Sequence, residues 1–258
     1  MRYFLHLSFQ GKKFHGWQNQ KKYVSVQEVL EKNLSSLLKT PTHIHGCGRT
    51  DAGVSASQYF AHLDIEEEID YDFVFRINKL LPTSIVVYDL IPVEKNANAQ
   101  LDASRRTYDF FSHFEESPFL HDVSTFYNEP NLDFQKIKKA VNLLLGKNEF
   151  GAFCKSVDLY QGFTDCEIYE VNLLVNDSQS RMQFQITADR FLRGMIRILQ
   201  ANLIRVGSGK MSLDEFEHCL KSGENPGHHE VAKPQGLYLS KIEYPYLNIE
   251  PKEHFLSF

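Results

Sequence analysis

Residues 46–56 read Gly-Cys-Gly-Arg-Thr-Asp-Ala-Gly-Val-Ser-Ala, a polar stretch between two runs of alternating apolar residues, 43–47 and 57–65. Alternation of this kind predicts β-strands, and the glycines between them favour a tight turn, because glycine permits positive φ and close approach. Asp51 would then lie at the tip of a rigid loop, two residues from Arg49, which suits an ionised carboxylate. The alternative is that Asp51 only caps its own turn through its side chain, a common role for aspartate in such loops.

The composition is that of an ordinary globular protein rather than a strongly basic nucleic-acid binder. Of the 258 residues, 42% are hydrophobic and 24% are charged, which is enough to bury one large core or two smaller ones. The formal net charge of −5 means that any surface for a polyanion must be a local basic patch. The 20 Phe and 12 Tyr could stack on bases, but such residues more often fill the core.

The cysteines and the apolar runs bear on the cellular compartment. The four widely spaced cysteines are expected to be reduced thiols rather than disulfides or a zinc site; they are Cys47, Cys154, Cys166 and Cys219. The N-terminal apolar run is too short for a signal peptide, and no run approaches the length that crosses a bilayer. We therefore expect a soluble, cytoplasmic protein with no membrane segment and no metal.

The order of predicted elements repeats once along the chain, as strand, helix, two strands and helix, with a joint near residues 94–105. In the first cycle we predict strands over 2–9, 43–47, 57–65 and 85–90, a helix capped by Ser25 and Glu28 that ends before Pro41, and a helix over 70–81. In the second we predict strands over 106–114, 167–175, 181–188 and 236–244, and helices from Asp133 to Gly146, over 190–206 and from Ser212 to Leu220. This order indicates an α+β fold of two similar subdomains, 1–104 and 105–258, whose mostly antiparallel sheets abut and are flanked by helices.

The helix predicted over residues 190–206 is rich in arginine. Helical spacing would put Arg190, Arg193 and Arg197 on one face, and Arg205 extends the charge toward the C-terminal end. One interpretation is a plain amphipathic helix with solvated arginines. However, no acidic residue lies between Arg190 and residue 213, so these arginines could instead face phosphates or a carboxylate from elsewhere in the chain.

Other candidate sites combine aromatic and basic residues. Tyr108 follows Arg105 and Arg106 on a predicted strand, where it could stack on a base or relay a proton, or be a half-buried strand aromatic. Lys12 and Lys13 precede Trp17, the sole tryptophan, in a glycine-bounded loop. Further basic residues are Lys21 and Lys22 in that region, and Lys136, Lys138 and Lys139 on a predicted helix. Each patch alone is weak, since charged runs are usually solvated, but together they offer several contacts for a polyanion.

These motifs together resemble the tRNA pseudouridine synthase A family. The most specific part is residues 47–54, Cys-Gly-Arg-Thr-Asp-Ala-Gly-Val, which is similar to the family signature. Other similar segments are 16–20, 25–27, the Arg-Thr-Tyr of 106–108, the aromatic turn of 150–153, the Phe-Leu-Arg-Gly-Met-Ile-Arg of 191–197, and the closing blocks 206–210 and 236–239. The segments occur in the family's order and span nearly the whole chain.

The resemblance implies an enzyme that isomerises uridine to pseudouridine in the tRNA anticodon stem-loop, without a metal or an organic cofactor. It implies a homodimer that binds tRNA in a cleft between the two sheets of each chain. Asp51 would be the catalytic carboxylate, Tyr108 its partner at the base, and Arg197 the cation that pairs with Asp51. The side chains expected to contact RNA are Lys12, Lys13, Trp17, Arg49, Arg193 and Arg205.

Three positions depart from the family pattern. Ser55 stands where the family usually has His, Gln100 stands where it usually has Arg, and residues 9–11 read Phe-Gln-Gly in place of Tyr-Asp-Gly. We expect these positions to contact RNA rather than to perform the chemistry, so a missing Arg would remove a phosphate or base contact. Two alternatives therefore stay open, a tRNA-binding relative without catalysis and a synthase with a shifted RNA target.

Overall fold

The computed structural model describes residues 1–66, 69–224 and 230–252, and only the backbone of residues 158–159. Its strands and helices are, in chain order, β1 Arg2–Phe9, α1 Val26–Leu38, β2 His45–Gly46, β3 Ser55–Asp64, α2 Phe73–Leu80, β4 Ile85–Val93, β5 Arg105–His113, β6 Thr125–Phe126, α3 Phe134–Asn142, β7 Gly146–Glu149, β8 Asp165–Val175, β9 Arg181–Ala188, α4 Met195–Gly207, α5 Leu213–Ser222 and β10 Leu237–Glu243. This mixture of sheet and flanking helix confirms the α+β class.

The first of two compact units comprises Met1–Ser104 and, from the described part of the C-terminal region, residues 238–252. Its strands lie in the order β4-β1-β3-β10, with β2 paired to β3. The pairs of β1 with β3 and β4 are antiparallel, whereas β10 runs parallel to β3. Nine of the ten residues of β3 are buried, as expected for a central strand covered on both faces. The strand that follows residues 47–54, which we call the Asp51 turn, is thus the best-buried strand of its unit.

The final strand lies in a different unit from the one predicted, because we expected residues 105–258 to form the second subdomain. In the structure, residues 238–252 belong to the first unit. Tyr238 pairs with Ser55 in the parallel register, and the Ile242 N–H donates to the side-chain oxygen of Gln58 at 2.9 Å. A strand late in the sequence therefore completes the sheet that carries the Asp51 turn.

The second unit comprises Arg105–Leu237. Its strands lie in the order β5-β9-β8-β7 and are antiparallel, with the short β6 running parallel to β5. Helices α3, α4 and α5 pack against one another. The largest buried side chains of this unit are aromatic, namely Phe110, Phe150, Phe153, Phe184 and Phe216. Burial of these rings explains much of the high phenylalanine content as core.

The helix starts predicted from capping residues were correct. The Ser25 Oγ accepts the Glu28 N–H at 3.1 Å at the start of α1. Asp133 caps α3 in the same way, and Ser212 with Glu215 forms a complete capping box before α5. Such caps are local, so four consecutive residues are enough to specify them.

The prediction for the arginine-rich helix was wrong at its start. α4 begins at Met195 rather than Arg190, because Gly194 adopts the left-handed conformation, with φ 73°, just before the first helical residue. Arg190 and Arg193 therefore lie outside the helix, and the three arginines do not share a helical face.

In the part of the chain that the structure describes, no helix is long and apolar enough to cross a membrane.

Candidate active site

The Asp51 turn lies in the first unit between β2 and β3. The Cys47 N–H continues the strand pairing to the Phe60 carbonyl at 2.8 Å, and the Val54 N–H closes a turn on the Asp51 carbonyl at 3.1 Å. Asp51 itself is partly exposed, and Arg49 is exposed. The structure thus confirms the tight turn, and it gives Asp51 access to a ligand.

A second loop, residues 11–17, packs backbone to backbone against this turn. The Trp17 N–H donates to the Thr50 carbonyl at 3.3 Å, and the Gly53 N–H donates to the Phe14 carbonyl at 3.1 Å. These two bonds fall on either side of Asp51 in sequence. The carboxylate is therefore carried by a loop whose backbone is anchored on both flanks.

Gly16 is what lets the two loops meet so closely. Its φ is 81°, and a Cβ at this position would lie 2.3 Å from the Thr50 carbonyl oxygen. A side chain would be strained by the backbone conformation and would also collide with the loop that carries Asp51.

Trp17 was predicted to contact RNA, and the structure corrects that prediction. The residue is only 3% exposed, and its ring stacks on Tyr59 with centroids 4.2 Å apart. The Tyr59 hydroxyl in turn donates to the Gly48 carbonyl at 2.5 Å. Burial leaves the indole little surface to offer a base, so Trp17 supports the Asp51 turn from beneath instead.

Ser55 was also expected to contact RNA, and it does not have the exposure to do so. It is 3% exposed, and its Oγ accepts the Gly11 N–H at 3.0 Å. Phe9 is likewise buried, whereas Gln100 is exposed. Lys12 and Lys13 are exposed, whereas Phe14 and Trp17 of the same loop are buried.

Tyr108 lies on β5 in the second unit, half-buried and paired with Ile186 of β9. Its ring meets that of Phe191 edge to face, with centroids 5.1 Å apart. Phe191 belongs to the segment that leads into α4, so the strand tyrosine and the start of the arginine helix are packed together. Nearby, the Arg106 guanidinium donates to the Asp189 carbonyl at 3.0 Å.

Arg197 occupies the first turn of α4 and is half-buried. Its Nε–H donates to the Ala232 carbonyl at 2.7 Å, and the Ala232 N–H donates back to the Arg197 carbonyl at 3.1 Å. This reciprocal pair ties both the backbone and the guanidinium of Arg197 to one residue. Because one edge of the guanidinium is fixed in this way, the direction of the whole planar group is fixed.

Polar side chains are buried close to Arg197. Gln200, one helical turn further along α4, is fully buried and donates to the Ser112 Oγ at 3.0 Å. Burial raises the pKa of Tyr127 well above its usual value, while Gln200 and the Arg197 charge act in the opposite direction. The phenol therefore stays neutral, and Arg197 has an uncharged polar neighbour on this side.

The other arginines of this region are held separately. The Arg190 guanidinium donates to the backbone carbonyls of Phe163, at 2.6 Å, and Asp165, at 2.8 Å, so it links two segments of backbone. Arg193 is exposed, and its N–H donates to the Tyr160 hydroxyl at 2.9 Å. Arg205 is half-buried and donates to the Asn202 side chain at 3.2 Å. Of these three, Arg193 presents the most side chain to a ligand.

The cysteines and other potential metal ligands complete the chemistry of the described residues. All four cysteines lie within the described ranges, are buried and are free of disulfides, as the sequence indicated. Among the residues that the structure describes, no group of three or more His, Cys, Asp or Glu side chains is placed to hold a metal ion.

Comparisons with known proteins agree with the sequence motifs. A family model described as tRNA pseudouridine synthase matches residues 140–245. The chain is 34% identical to a Porphyromonas gingivalis protein named tRNA pseudouridine synthase A, over 95% of this chain and 97% of the relative. Proteins of the same name from Bacteroides fragilis and Parabacteroides distasonis are 37% and 36% identical, each over 95% of this chain and 96% of the relative. Similarity of this degree along nearly the full length of each relative shows that the chain belongs to the tRNA pseudouridine synthase A family.

Proposed function

We propose that this chain isomerises uridine to pseudouridine in the anticodon stem-loop of tRNA, with Asp51 as the catalytic carboxylate. Its family and its relatives make it a tRNA pseudouridine synthase, an isomerase. The observation that carries the assignment of Asp51 is its place at the tip of an anchored turn within the most family-like stretch of the chain. A loop fixed by its own backbone suits a group that must meet a reacting carbon at a defined position.

The reaction moves one bond and one proton. The N1–C1′ glycosidic bond breaks, the uracil ring turns, and C5 bonds to C1′. C5 then loses its proton and N1 gains one, so that substrate and product are isomers. A carboxylate serves this chemistry either as a nucleophile at C1′ or by stabilising an electron-poor sugar. Both routes require Asp51 to be ionised when the target base is bound.

We assign Arg197 and Tyr108 to supporting roles in the same reaction. A fixed guanidinium opposes the desolvation cost of holding a carboxylate ionised in a closed pocket, and the bond from Arg197 to the Ala232 carbonyl supplies that fixity. Removal of the C5 proton needs a base, and Tyr108, or a water that it holds, is the candidate. Its packing on Phe191 would keep the phenol in place while the base turns.

Binding of tRNA would rest on exposed cations. A target base in a stem must be flipped out, at a cost of a few kcal/mol, and phosphate contacts offset that cost. Lys12, Lys13, Arg49 and Arg193 are exposed, and we assign such contacts to them. The same proposal includes three features that the resemblance implies, namely a homodimer, an RNA cleft between subdomains and a cytoplasmic location. The mass of the protein in solution tests the homodimer.

The test replaces one oxygen of the carboxylate. We expect the purified protein to release tritium from tRNA that carries C5-labelled uridine, and Asp51→Asn to release none while it still folds and binds tRNA. Asp177→Asn, on the exposed turn between β8 and β9, is the matched control and should keep full activity. Release at the normal rate by Asp51→Asn would remove Asp51 from the mechanism.

A shifted RNA target is the alternative that the structure still favours, because Gln100 is exposed where the family usually has Arg. The buried Ser55 no longer supports it. Mapping pseudouridines in RNA from cells that lack this protein separates the two. Loss confined to the anticodon stem-loop supports the proposed target, loss at other uridines supports the alternative, and no loss anywhere would favour a binding-only protein.

A further inference from the structure

We propose that Ser55 is a positioning residue for Asp51, because its hydroxyl fastens the loop of residues 11–17, which carries Lys12 and Lys13, to the turn that carries the carboxylate. We call residues 11–17 the brace, and the Asp51 turn is residues 47–54. The inference rests on the proposed function, since it concerns how the carboxylate is held against the RNA. It assigns a role to a side chain that differs from the usual family residue.

The bond between the brace and Ser55 is buried. Ser55 is 3% exposed, Gly11 is buried, and the Gly11 N–H donates to the Ser55 Oγ at 3.0 Å. A buried N–H that loses its acceptor carries the cost of an unmet hydrogen bond. Removal of the hydroxyl therefore leaves the first residue of the brace without its partner, and it loosens the end of the brace that the other two bonds do not hold.

Close backbone packing makes Ser55 the natural partner for this N–H. A Cβ on Gly11 would lie 2.1 Å from the Val54 carbonyl oxygen, so only glycine allows the brace to come this near. Ser55 follows Val54 directly as the first residue of β3, and its short hydroxyl reaches the Gly11 N–H. The position thus favours a small side chain with an acceptor.

The Ser55 bond adds to the two backbone bonds described above, and together the three surround Asp51. Thr50 is bonded one residue before the carboxylate, Gly53 two residues after it, and Ser55 two residues beyond that. With all three hydrogen bonds in place, the brace and the Asp51 turn form one rigid unit. A phosphate bound by the lysines of the brace would then be fixed in distance from the carboxylate.

This coupling predicts a particular kinetic effect. If Ser55 only stabilised the fold, its loss would lower the amount of active enzyme and leave the rate per folded molecule unchanged. If it positions Asp51, its loss lowers the rate of the chemical step, because small displacements of a reacting group are costly. Since Lys12 and Lys13 remain, the affinity for tRNA should change little.

β3 provides a matched control. Ser57 lies two residues after Ser55 on the same face of the strand and is 5% exposed. Among the described residues, its hydroxyl has no hydrogen-bond partner. Ser57→Ala therefore removes the same atom from the same strand without breaking a bond to the brace.

The experiment compares Ser55→Ala, Ser55→Thr and Ser57→Ala with the unmodified protein. Steady-state and single-turnover formation of pseudouridine in tRNA are measured alongside hydrogen exchange of the Gly11 amide and of the Asp51 turn. We expect Ser55→Ala to lower kcat about tenfold, with KM for tRNA within about twofold, and to speed exchange at Gly11 and across the turn. Ser55→Thr, which keeps the hydroxyl, should restore most of the rate, and Ser57→Ala should match the unmodified protein.

Two results would overturn the inference. One is an unchanged kcat in folded Ser55→Ala, and the other is an equal loss in Ser57→Ala, which would indicate general loosening of the strand. If the unmodified protein formed no pseudouridine, the proposed function would fail by itself. Hydrogen exchange would then decide about Ser55 alone, because faster exchange across the Asp51 turn in Ser55→Ala supports the brace and unchanged exchange rejects it.

Discussion

The Asp51 turn and the Arg197 segment hold their charged residues in opposite ways. Asp51 is fixed through its backbone, by bonds from the brace to Thr50 and Gly53, while its side chain takes no part in those bonds. Arg197 lies on a helix and is fixed by its own side chain, through the Nε–H that donates to the Ala232 carbonyl. Backbone bonds position a loop without using the side chain that it carries, whereas a guanidinium has five N–H donors and can use one of them as its own anchor. We therefore expect that substitutions of the residues around Asp51 disturb its position, whereas the position of Arg197 depends mainly on its own side chain.

The largest effect expected from this comparison is that of Arg197→Lys. Lysine keeps the charge but lacks the Nε–H and the planar fork, so it cannot be anchored to Ala232 and directed at the same time. We expect the single-turnover rate to fall about a hundredfold, as for loss of a charge-assisted hydrogen bond at a reacting group.

Arg205→Lys is the control for that prediction, since Arg205 lies on the same helix and bonds the Asn202 side chain. There the charge is retained for phosphate, and a change of no more than a few-fold is expected. A normal rate for Arg197→Lys, or equal losses in the two variants, would mean that the guanidinium geometry of Arg197 does not matter.

A smaller effect, of about tenfold on the rate, is expected for Gly16→Ala. The new Cβ would lie 2.3 Å from the Thr50 carbonyl and would require positive φ, so the brace must move away from the Asp51 turn. Strain of this kind costs on the order of 1–3 kcal/mol, and chemical denaturation together with single-turnover kinetics would measure both consequences.

Two alanine variants separate the causes of the Gly16 effect. Gly209 also has positive φ, at 74°, but a Cβ there meets nothing within 4 Å, so Gly209→Ala isolates backbone strain. Gly48 lies in the Asp51 turn itself, and a Cβ there also has open space. If Gly48→Ala slowed the reaction as much as Gly16→Ala, contact with the brace would not be what holds Asp51.

Local signals explain what the sequence could predict. The Asp51 turn, the caps at Ser25, Asp133 and Ser212, and the strands Arg2–Phe9 and Arg181–Ala188 depend on residues close together in sequence, and the structure agrees with them. The start of α4 was also readable, since Gly194 interrupts the predicted helix directly before Met195. An isolated glycine of this kind is a known signal of a helix boundary.

The exposure of single side chains could not be predicted in the same way. Trp17 follows two lysines in a polar loop, which resembles an RNA-contacting pattern, yet stacking on Tyr59 buries it. Ser55 depends on the approach of Gly11, which is forty-four residues away in sequence. The parallel pairing of β10 with β3 also joins distant segments. Contacts of this range carry no local pattern, so only the folded chain shows them.

The smallest expected effect concerns acid and the strand that follows the Asp51 turn. β3, which begins at Ser55, carries the buried His62, whereas α4 contains no histidine. The Ala99 N–H donates to the His62 Nδ1 at 3.2 Å, so this nitrogen must be unprotonated. Burial, with the nearby Arg2 charge, lowers the pKa of His62 to about 4. The unfolded chain would take up a proton near the usual pKa of about 6.5.

The sign follows from which state binds the proton. Above about pH 6.5 His62 is neutral in both states and its contribution to stability is complete, and it is lost as the pH falls toward 4, because only the unfolded chain gains the proton. His62→Gln keeps an acceptor for the Ala99 N–H without a titrating group. We expect it to lower the number of protons linked to unfolding between pH 4 and 6.5 by about one, as measured by urea unfolding across that range. An unchanged pH dependence would mean that His62 takes up its proton in the folded strand as readily as in the unfolded chain.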